Sequence, residues 1–141
     1  MKIIVVILGL LFSPSFQESD ETLVRNFLIS IEKGSNEEVV DKYLILTETS
    51  DSLQIADRKE YLNLVLDDLR DTLKIKPIEH IKITRVTDYF DYDIDTDESG
   101  FDHLMIVSYK NEKLLSVLTH NNKIKSFTGM RKGETETFFF Y

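Results

Sequence analysis

An acidic segment at residues 88–102 holds the side chains best suited to bind a metal ion. Carboxylate oxygens suit calcium, which tolerates irregular shells of oxygen ligands. The segment places aspartates at alternate positions: Asp91, Asp93, Asp95 and Asp97. These side chains could form a calcium cage, and the alternative is a solvated hairpin loop whose charges keep a sheet edge from pairing with other chains. We favour the solvated loop, because blocks of like charge are usually solvated.

The same segment partly matches the calcium loop of helix–loop–helix proteins. Asp95, Asp97 and Ser99 occupy the first, third and fifth positions, and Gly100 occupies the sixth, where the sharp turn needs glycine. Ile106 falls at the twelfth position, where such a loop needs a bidentate glutamate. The flanking residues also favour strands over helices, so we predict no metal site of this type.

Two histidines are spaced to meet across a predicted hairpin. If residues 110–113 close an even-length turn, His103 falls opposite His120 on one face of the sheet. Histidine nitrogens bind zinc, but a zinc site needs further ligands, and Asp88 or Asp102 would be the nearest. The alternative is a pair of partly exposed histidines at strand ends. We favour this alternative and predict neither a metal nor another cofactor.

The chain ends on consecutive aromatic residues at positions 138–141. Exposed aromatic residues at a free end would favour aggregation. We expect them to pack within the fold, because aromatic side chains bury a large apolar area. A docking element for a partner, or a homodimer contact, is the alternative.

Composition and charge limit the classes of partner. The formal net charge of −8 disfavours binding to nucleic acid and to anionic membrane surfaces. Cations, basic peptides and neutral ligands remain as possible partners. The chain has no cysteine, so its core must be stable without disulfides. An exported domain without cysteine suits a bacterial envelope better than an animal extracellular fluid.

The first 17 residues have the order of a secretory signal peptide. Lys2 supplies the positive start, residues 3–12 form an apolar run, and Ser13 and Pro14 begin a helix-breaking exit. The run is shorter than the roughly 20 apolar residues that span a bilayer. We therefore expect an exported protein, periplasmic or extracellular, with one domain at residues 18–141 and no membrane insertion after cleavage. A buried strand or a short anchor is the alternative.

Three helices are predicted ahead of the strands. Apolar residues at helical spacing between Val24 and Ile31 predict the first helix, with Asp20 or Thr22 as its cap. Gly34 is predicted to end it in the left-handed conformation that glycine adopts at low cost. A second helix is predicted after residue 35.

The second and third helices each begin with a predicted capping box. Ser35 and Glu38 form the first box. Asp57 is predicted to start the third helix, which Pro77 ends. Leu64 is assigned to the apolar face of this helix. The solvent side is assigned Asp67, Asp68, Arg70, Asp71 and Lys74.

Strand-forming residues follow the third helix. Segments 78–90, 101–109, 114–120 and 124–130 are rich in Ile, Val, Thr and aromatic residues. Turn residues at 110–113 and at Asn121–Asn122 make neighbouring strands antiparallel. Helices followed by strands predict an α+β fold, with three helices packed on a curved antiparallel sheet of about four strands.

The spacing of apolar residues in the first two helices resembles the nuclear transport factor 2-like superfamily, in its small secreted bacterial form. The matching sequence pattern is Val24-x-x-Phe27-Leu28-x-x-Ile31-x-x-Gly34-Ser35-x-x-x-Val39-x-x-x-Tyr43-Leu44. The resemblance implies a cone in which a curved sheet wraps a long helix and leaves a pocket at the open end. Function varies across such folds, so the resemblance concerns architecture.

The resemblance also implies where an enzyme of this kind would place its chemistry. Ketosteroid isomerases of the superfamily use an aspartate and a tyrosine inside the cone. The tyrosines available for such a role are Tyr43, Tyr61, Tyr89, Tyr92 and Tyr109. No spacing distinguishes one of them, and no catalytic residue is predicted.

These observations lead to three functional hypotheses. The first is a non-enzymatic binding module that takes a small apolar or peptide-like ligand in the pocket, or a protein partner on the sheet. The second is a pocket enzyme of the ketosteroid-isomerase type. The third is an acidic immunity or inhibitor protein that binds a basic partner.

Overall fold

Three helices precede a four-stranded antiparallel sheet, which confirms the predicted α+β class. The computed structural model describes residues 19–86, 103–132, 135–138 and 141, with the main chain alone for 129–132 and 135–138. The helices are α1 (Asp20–Lys33), α2 (Asn36–Tyr43) and α3 (Ser52–Ile75). The strands are β1 (Ile81–Arg85), β2 (Leu104–Tyr109), β3 (Glu112–His120), β4 (Lys123–Ser126), β5 (Gly129–Lys132) and β6 (Thr135–Phe138).

The caps of α1 differ from the prediction at both ends. Ser19 is the N-cap, and its hydroxyl accepts from the Thr22 amide, so the prediction of Asp20 or Thr22 was wrong by a short shift. Gly34 has φ −104° and ψ 178°, an extended conformation, so the predicted left-handed glycine was also wrong. Glycine is needed there for space, because a Cβ would lie 2.9 Å from the Ser30 carbonyl oxygen.

The predicted capping box at the start of α2 is confirmed. The Ser35 hydroxyl accepts from the Glu38 amide at 3.3 Å, and the Glu38 carboxylate accepts from the Ser35 amide at 3.2 Å. Val39 and Tyr43 are buried. After α2, Leu44 forms a parallel bridge with Ile124 of β4, so the exit of the helix is attached to the sheet.

Helix α3 starts earlier than predicted. Asp51 is its N-cap and accepts from the amides of Leu53 and Gln54, so the predicted start at Asp57 was wrong. The helix ends at Ile75, ahead of Pro77 as predicted. Its inner face buries Leu62, Leu66 and Leu73. Leu64 is 64% exposed, so its assignment to the apolar face was wrong.

Arg70 of α3 connects the helices to one another and does not belong to the solvent side. Its Nε donates to the Ile31 carbonyl at 2.7 Å, at the C-terminal end of α1. Its Nη2 donates to Asn36 Oδ1 at 2.6 Å and to the Gly34 carbonyl at 3.2 Å. Arg70 thereby satisfies carbonyl groups that the end of a helix leaves unpaired.

The sheet is a meander with the order β1-β2-β3-β4. Asn121 and Asn122 both have positive φ, as a tight hairpin turn requires, and they confirm the predicted turn between β3 and β4. The turn between β2 and β3 is shorter than predicted, because Lys110 and Asn111 form it and Glu112 already belongs to β3. A β-bulge between Val107 and Ser108 then shifts the register of the two strands.

The remaining strand boundaries depart from the predicted segments. A 3₁₀ turn at Ile78–His80 precedes β1, which ends at Arg85. Residues 87–90 of the predicted segment 78–90 lie outside the described residues. The predicted segment 124–130 contributes to two strands, β4 and β5. Strands β5 and β6 pair with each other in a separate antiparallel hairpin.

Aromatic rings connect the helical layer to the sheet side of the core. Phe27 of α1 is buried and has its ring centroid 5.8 Å from Tyr43 and 5.2 Å from Phe127. Phe127 in turn lies 5.5 Å from the ring of Tyr141, the last residue. This row of rings positions Tyr141 against Tyr61 in the first half of α3.

Candidate functional site

A cleft of about 570 Å³ opens where the loop after α2, the start of α3 and the chain end meet. We call it the tyrosine cleft. Its lining residues are Thr47, Glu48, Thr49, Gln54, Asp57, Arg58, Tyr61 and Tyr141.

Tyr141 forms the floor of the tyrosine cleft. Its side chain is buried, and its backbone carbonyl accepts a hydrogen bond from the Thr47 amide. Its hydroxyl is hydrogen-bonded to Thr128 Oγ1. Burial raises the pKa of Tyr141 to about 12, because the charged phenolate would be poorly solvated there. Tyr141 is therefore a neutral hydroxyl in the physiological pH range.

Tyr61 of α3 provides the second aromatic surface of the cleft. Its ring centroid lies 6.2 Å from that of Tyr141, with the planes tilted by 34°. Tyr61 is 39% exposed, so part of its ring is open to a ligand. The two rings form an apolar surface beneath a polar rim.

Hydrogen bonds fix the polar rim in place. Arg58 Nη1 donates to the Thr47 carbonyl at 2.7 Å, which ties α3 to the loop. Thr49 Oγ1 donates to Gln54 Oε1 at 3.1 Å and accepts from the Asp51 amide at 3.2 Å. The loop is thus held from several sides, and contacts within the chain itself fix the walls of the cleft.

The rim carries charges of both signs. Glu48 and Asp57 are exposed, and Arg58 is half-buried. Carboxylates therefore outnumber the guanidinium at this opening, which favours neutral or cationic groups over anions.

A second groove of about 560 Å³ runs between α3 and β3 and shares Tyr61 with the tyrosine cleft. Val65, Leu69 and Thr72 form its helical wall, and Leu114 belongs to the facing strand. Lys76 and Glu112 pair across one end at 3.4 Å.

The two histidines considered as candidate zinc ligands do not face each other. Leu104 pairs with Leu118, and the Thr119 hydroxyl donates to the His103 carbonyl at 3.0 Å. His120 pairs with Lys123 of β4 instead. The expected pairing of His103 and His120 was wrong for two reasons. The turn at Lys110–Asn111 is two residues shorter than expected, and the bulge in β2 and β3 then shifts the register by one residue, so His103 lies level with Thr119.

His103 instead lies beside an aspartate. Its Nδ1 is 3.5 Å from Asp20 Oδ2, and the buried Thr119 hydroxyl shares its one hydrogen between the His103 carbonyl and Asp20 Oδ1, which lies 2.8 Å away. These contacts attach the first turn of α1 to the sheet. Within the described residues, no group of three or more His, Cys, Asp or Glu side chains is arranged to hold a metal ion.

The remaining predicted site residues are partly placed by the structure. The calcium candidates Asp91, Asp93, Asp95 and Asp97 lie outside the described residues. Of the tyrosines considered for catalysis, Tyr43 is buried and accepts from the Ser30 hydroxyl at 3.2 Å. The ring centroid of Tyr109 lies 5.4 Å from Lys110 Nζ. Tyr89 and Tyr92 lie outside the described residues.

The prediction that the aromatic tail packs within the fold is confirmed for Tyr141, which is 5% exposed. Phe138 is the last residue of β6.

Sequence reasoning missed the role of Thr47, Gln54 and Arg58 at the cleft. The loop composition at 47–52 and the aromatic chain end were visible signals, but nothing in the sequence places them next to each other.

None of the described helices is long and apolar enough to cross a membrane. A scan of protein-family models, a search of curated proteins and a search of solved structures each found no match to the chain.

Proposed function

We propose that this chain is an exported, non-enzymatic binding protein that holds a small apolar ligand in the tyrosine cleft. The observation that carries the proposal is the cleft itself, with a volume of about 570 Å³ and two tyrosine rings below a polar rim. Ligand sites commonly have volumes of roughly 300–1,000 Å³, an apolar lining and a few polar groups that orient the ligand.

The chemistry of the lining favours a flat ligand that is neutral or cationic. The exposed part of the Tyr61 ring can stack against an aromatic or alicyclic group, with the buried Tyr141 ring as the floor below it. Tyrosine rings attract cations, and the carboxylates of Glu48 and Asp57 attract them as well. Arg58, which donates to Thr47, is the one positive group among the described residues that line the cleft.

Binding fits this lining better than proton transfer does. The pKa of Tyr141 is about 12, so its hydroxyl stays protonated near neutral pH. It can donate a hydrogen bond there but offers no base. Glu48 and Asp57 are exposed at the rim and act there as solvated acceptors. A buried carboxyl beside a tyrosine would favour the alternative of a ketosteroid-isomerase-like enzyme, and the described residues of this lining include none.

We also propose membership of the nuclear transport factor 2-like superfamily and export through the segment at residues 1–17. The order of three helices followed by an antiparallel meander supports the first proposal. The residue pattern of the segment supports the second. Export is tested by the intact mass of the chain recovered from a bacterial periplasm, where the mass should correspond to cleavage near Ser15 or Gln17. Full-length chain retained in the cytoplasm would contradict export.

Ligand-observed NMR with neutral and cationic aromatic fragments, including indole and a naphthylmethylamine, tests the binding proposal. We expect binding to the wild type and a loss of at least tenfold in affinity for Tyr61→Ala, because this substitution removes one stacking surface while leaving the buried Tyr141 in place. Tyr109→Ala is the matched control, since Tyr109 lies outside the lining of the tyrosine cleft.

The control defines what would count against the proposal. If no fragment binds, or if Tyr109→Ala weakens binding as much as Tyr61→Ala does, the tyrosine cleft is not the binding site. Native mass spectrometry of the purified protein would then show whether another small molecule is retained.

A further inference from the structure

The outward face of α3 carries large aliphatic side chains in solvent. Leu53 is 74% exposed, Leu64 is 64% exposed and Ile75 is 77% exposed. Single exposed aliphatic residues are common on protein surfaces, so the feature that distinguishes these three is their alignment on one helix.

The three residues lie in one line along the helix. They are spaced by 11 residues, and an α-helix turns by 100° per residue, so successive members differ by only about 20° around the axis. The rise of 1.5 Å per residue separates neighbours by about 16 Å, and the row extends over about 33 Å. This is the length of an extended contact with another helix.

Acidic side chains fill the space between these aliphatic residues. The positions within about 60° of the row, by the same geometry, are all exposed and include no lysine or arginine. We call this surface the outer stripe, and its members are Leu53, Asp57, Glu60, Tyr61, Leu64, Asp67, Asp68, Asp71 and Ile75.

Two of these carboxylates are paired with basic residues that lie outside the outer stripe. Arg70 Nη1 lies 2.7 Å from Asp67 Oδ1, and Lys74 Nζ lies 2.7 Å from Asp71 Oδ1. Asp57, Glu60 and Asp68 are exposed as well. Their negative charge lies between the aliphatic anchors.

We infer that the outer stripe docks a basic amphipathic helix of a partner protein. Such a helix would place apolar residues on Leu53, Leu64 and Ile75, and its lysines or arginines would meet Asp57, Glu60 and Asp68. A helix that packs at the shallow crossing angle of about 20° stays in contact over several turns, which suits a row of this length.

The charge of the surface argues against the other occupants. A second copy of the chain would bring two rows of carboxylates together with no lysine or arginine of either stripe between them, and like charges in contact are unfavourable. Anionic lipid and nucleic acid are repelled for the same reason, since the whole chain also carries a net charge of −8. A basic partner is attracted by both the local and the overall charge.

This inference does not depend on the tyrosine cleft, although Asp57 and Tyr61 border both surfaces. The test therefore avoids these two residues. The apolar variant combines Leu53→Gln, Leu64→Gln and Ile75→Gln, and the charge variant combines Glu60→Gln and Asp68→Asn. All five positions are exposed, so these substitutions should leave the fold intact. Fragment binding in the tyrosine cleft should be unchanged in both variants.

The probe is a synthetic 22-residue peptide of leucine and lysine patterned as an amphipathic helix. Controls are a scrambled peptide of the same composition and a peptide with glutamate in place of lysine. Matched protein controls are Ile55→Gln for the apolar variant, and Glu37→Gln with Asp41→Asn for the charge variant, because these exposed residues lie outside the outer stripe. Affinities are measured by isothermal titration calorimetry at low and physiological salt.

We expect the leucine–lysine helix to bind at least tenfold more tightly than the scrambled peptide, with no binding of the glutamate peptide. The apolar variant should lose at least tenfold and the charge variant at least threefold, while the matched controls stay within twofold of the wild type. Added salt should weaken binding to the wild type more than to the charge variant.

Four outcomes would overturn the inference. The scrambled peptide could bind equally well, or the matched controls could weaken binding as much as the stripe variants do. Sedimentation could show a dimer that the apolar variant dissociates, which would identify a second copy as the occupant. Neutral phosphatidylcholine vesicles could bind the wild type and not the apolar variant, which would identify a membrane surface.

Discussion

The inner and outer faces of α3 place the same residue type in opposite surroundings. Leu66 is fully buried against the core, whereas Leu64, two positions earlier in the same helix, is 64% exposed. Two residues correspond to about 200° around the helix axis, so the two side chains point in nearly opposite directions. Position on the helix, and not hydrophobicity, decides which leucine stabilises the fold.

The polar residues of α3 divide in the same way. Arg70, at the border of the inner face, donates to carbonyl groups of α1 and of the following loop. Lys74, one turn later, pairs only with the exposed Asp71 among the contacts described for it. The inner face thus contributes stability, and we assign recognition to the outer stripe.

The largest expected difference between the two faces is in the leucine pair. Leu66→Ala should lower the free energy of unfolding by about 3 kcal/mol, because it removes buried contacts and leaves a cavity. Leu64→Ala should change it by less than about 0.5 kcal/mol, as is usual for surface substitutions. Urea unfolding of the two variants measures both values, and equal losses would show that Leu64 is buried in solution.

Arg70 provides the next largest effect. Arg70→Ala should destabilise the fold by about 2 kcal/mol, since charged hydrogen bonds are lost and carbonyl groups at the end of α1 lose their donor. Arg70→Lys should recover only part of this loss, because lysine lacks the planar fork of donors. Lys74→Ala is the control and should cost less than about 0.5 kcal/mol in the same urea titration. An equally mild Arg70→Ala would mean that water replaces the guanidinium without cost.

The features predicted correctly from the sequence depend on neighbours within a few residues. The Ser35–Glu38 capping box, the stop before Pro77 and the Asn121–Asn122 turn each follow from local backbone chemistry. The α+β class follows from the order of such local elements. These signals are present in the sequence itself, because the interacting groups are adjacent in the chain.

The features that were missed depend on contacts between distant residues. Arg70 reaches acceptors on α1 and α2, and its charge alone suggested solvent exposure. The histidine pairing failed because the turn between β2 and β3 is shorter than expected and a bulge then changes the register. The tyrosine cleft combines Thr47, Arg58 and the chain end, which only the folded structure brings together. An isolated sequence gives no direct signal for such juxtapositions.

The two tyrosines of the cleft differ in burial, and the buried one should make the free energy of unfolding depend on pH. The pKa of Tyr141 is raised to about 12 in the folded protein, against about 10 when unfolded. Folding therefore favours the protonated form, and this stability is complete below pH 10 and is lost as the pH rises towards 12. The loss should be roughly 2 kcal/mol for the wild type relative to Tyr141→Phe.

Urea unfolding between pH 9 and pH 12 measures this effect, and Tyr61→Phe is the control on the exposed side of the cleft. Tyr61→Phe should follow the wild-type pH profile, since Tyr141 is still present in that variant. If wild type and Tyr141→Phe lose stability in parallel, Tyr141 is solvated and the cleft has no buried floor.

The smallest expected effect concerns Gly34, whose carbonyl accepts from Arg70 at the end of the inner-face contact. Gly34→Ala should destabilise the fold by about 1 kcal/mol in urea unfolding, because the added Cβ would lie 2.9 Å from the Ser30 carbonyl oxygen. That oxygen already accepts the Gly34 amide at 2.7 Å, so it cannot easily move away. The backbone angles themselves suit alanine, and the reduced entropy of the unfolded chain partly offsets the steric cost. Lys33→Ala controls for the change in helix-end composition. A Gly34→Ala variant more stable than the wild type would show that the entropic gain exceeds the steric cost, and that the contact between α1 and α3 tolerates movement at this point.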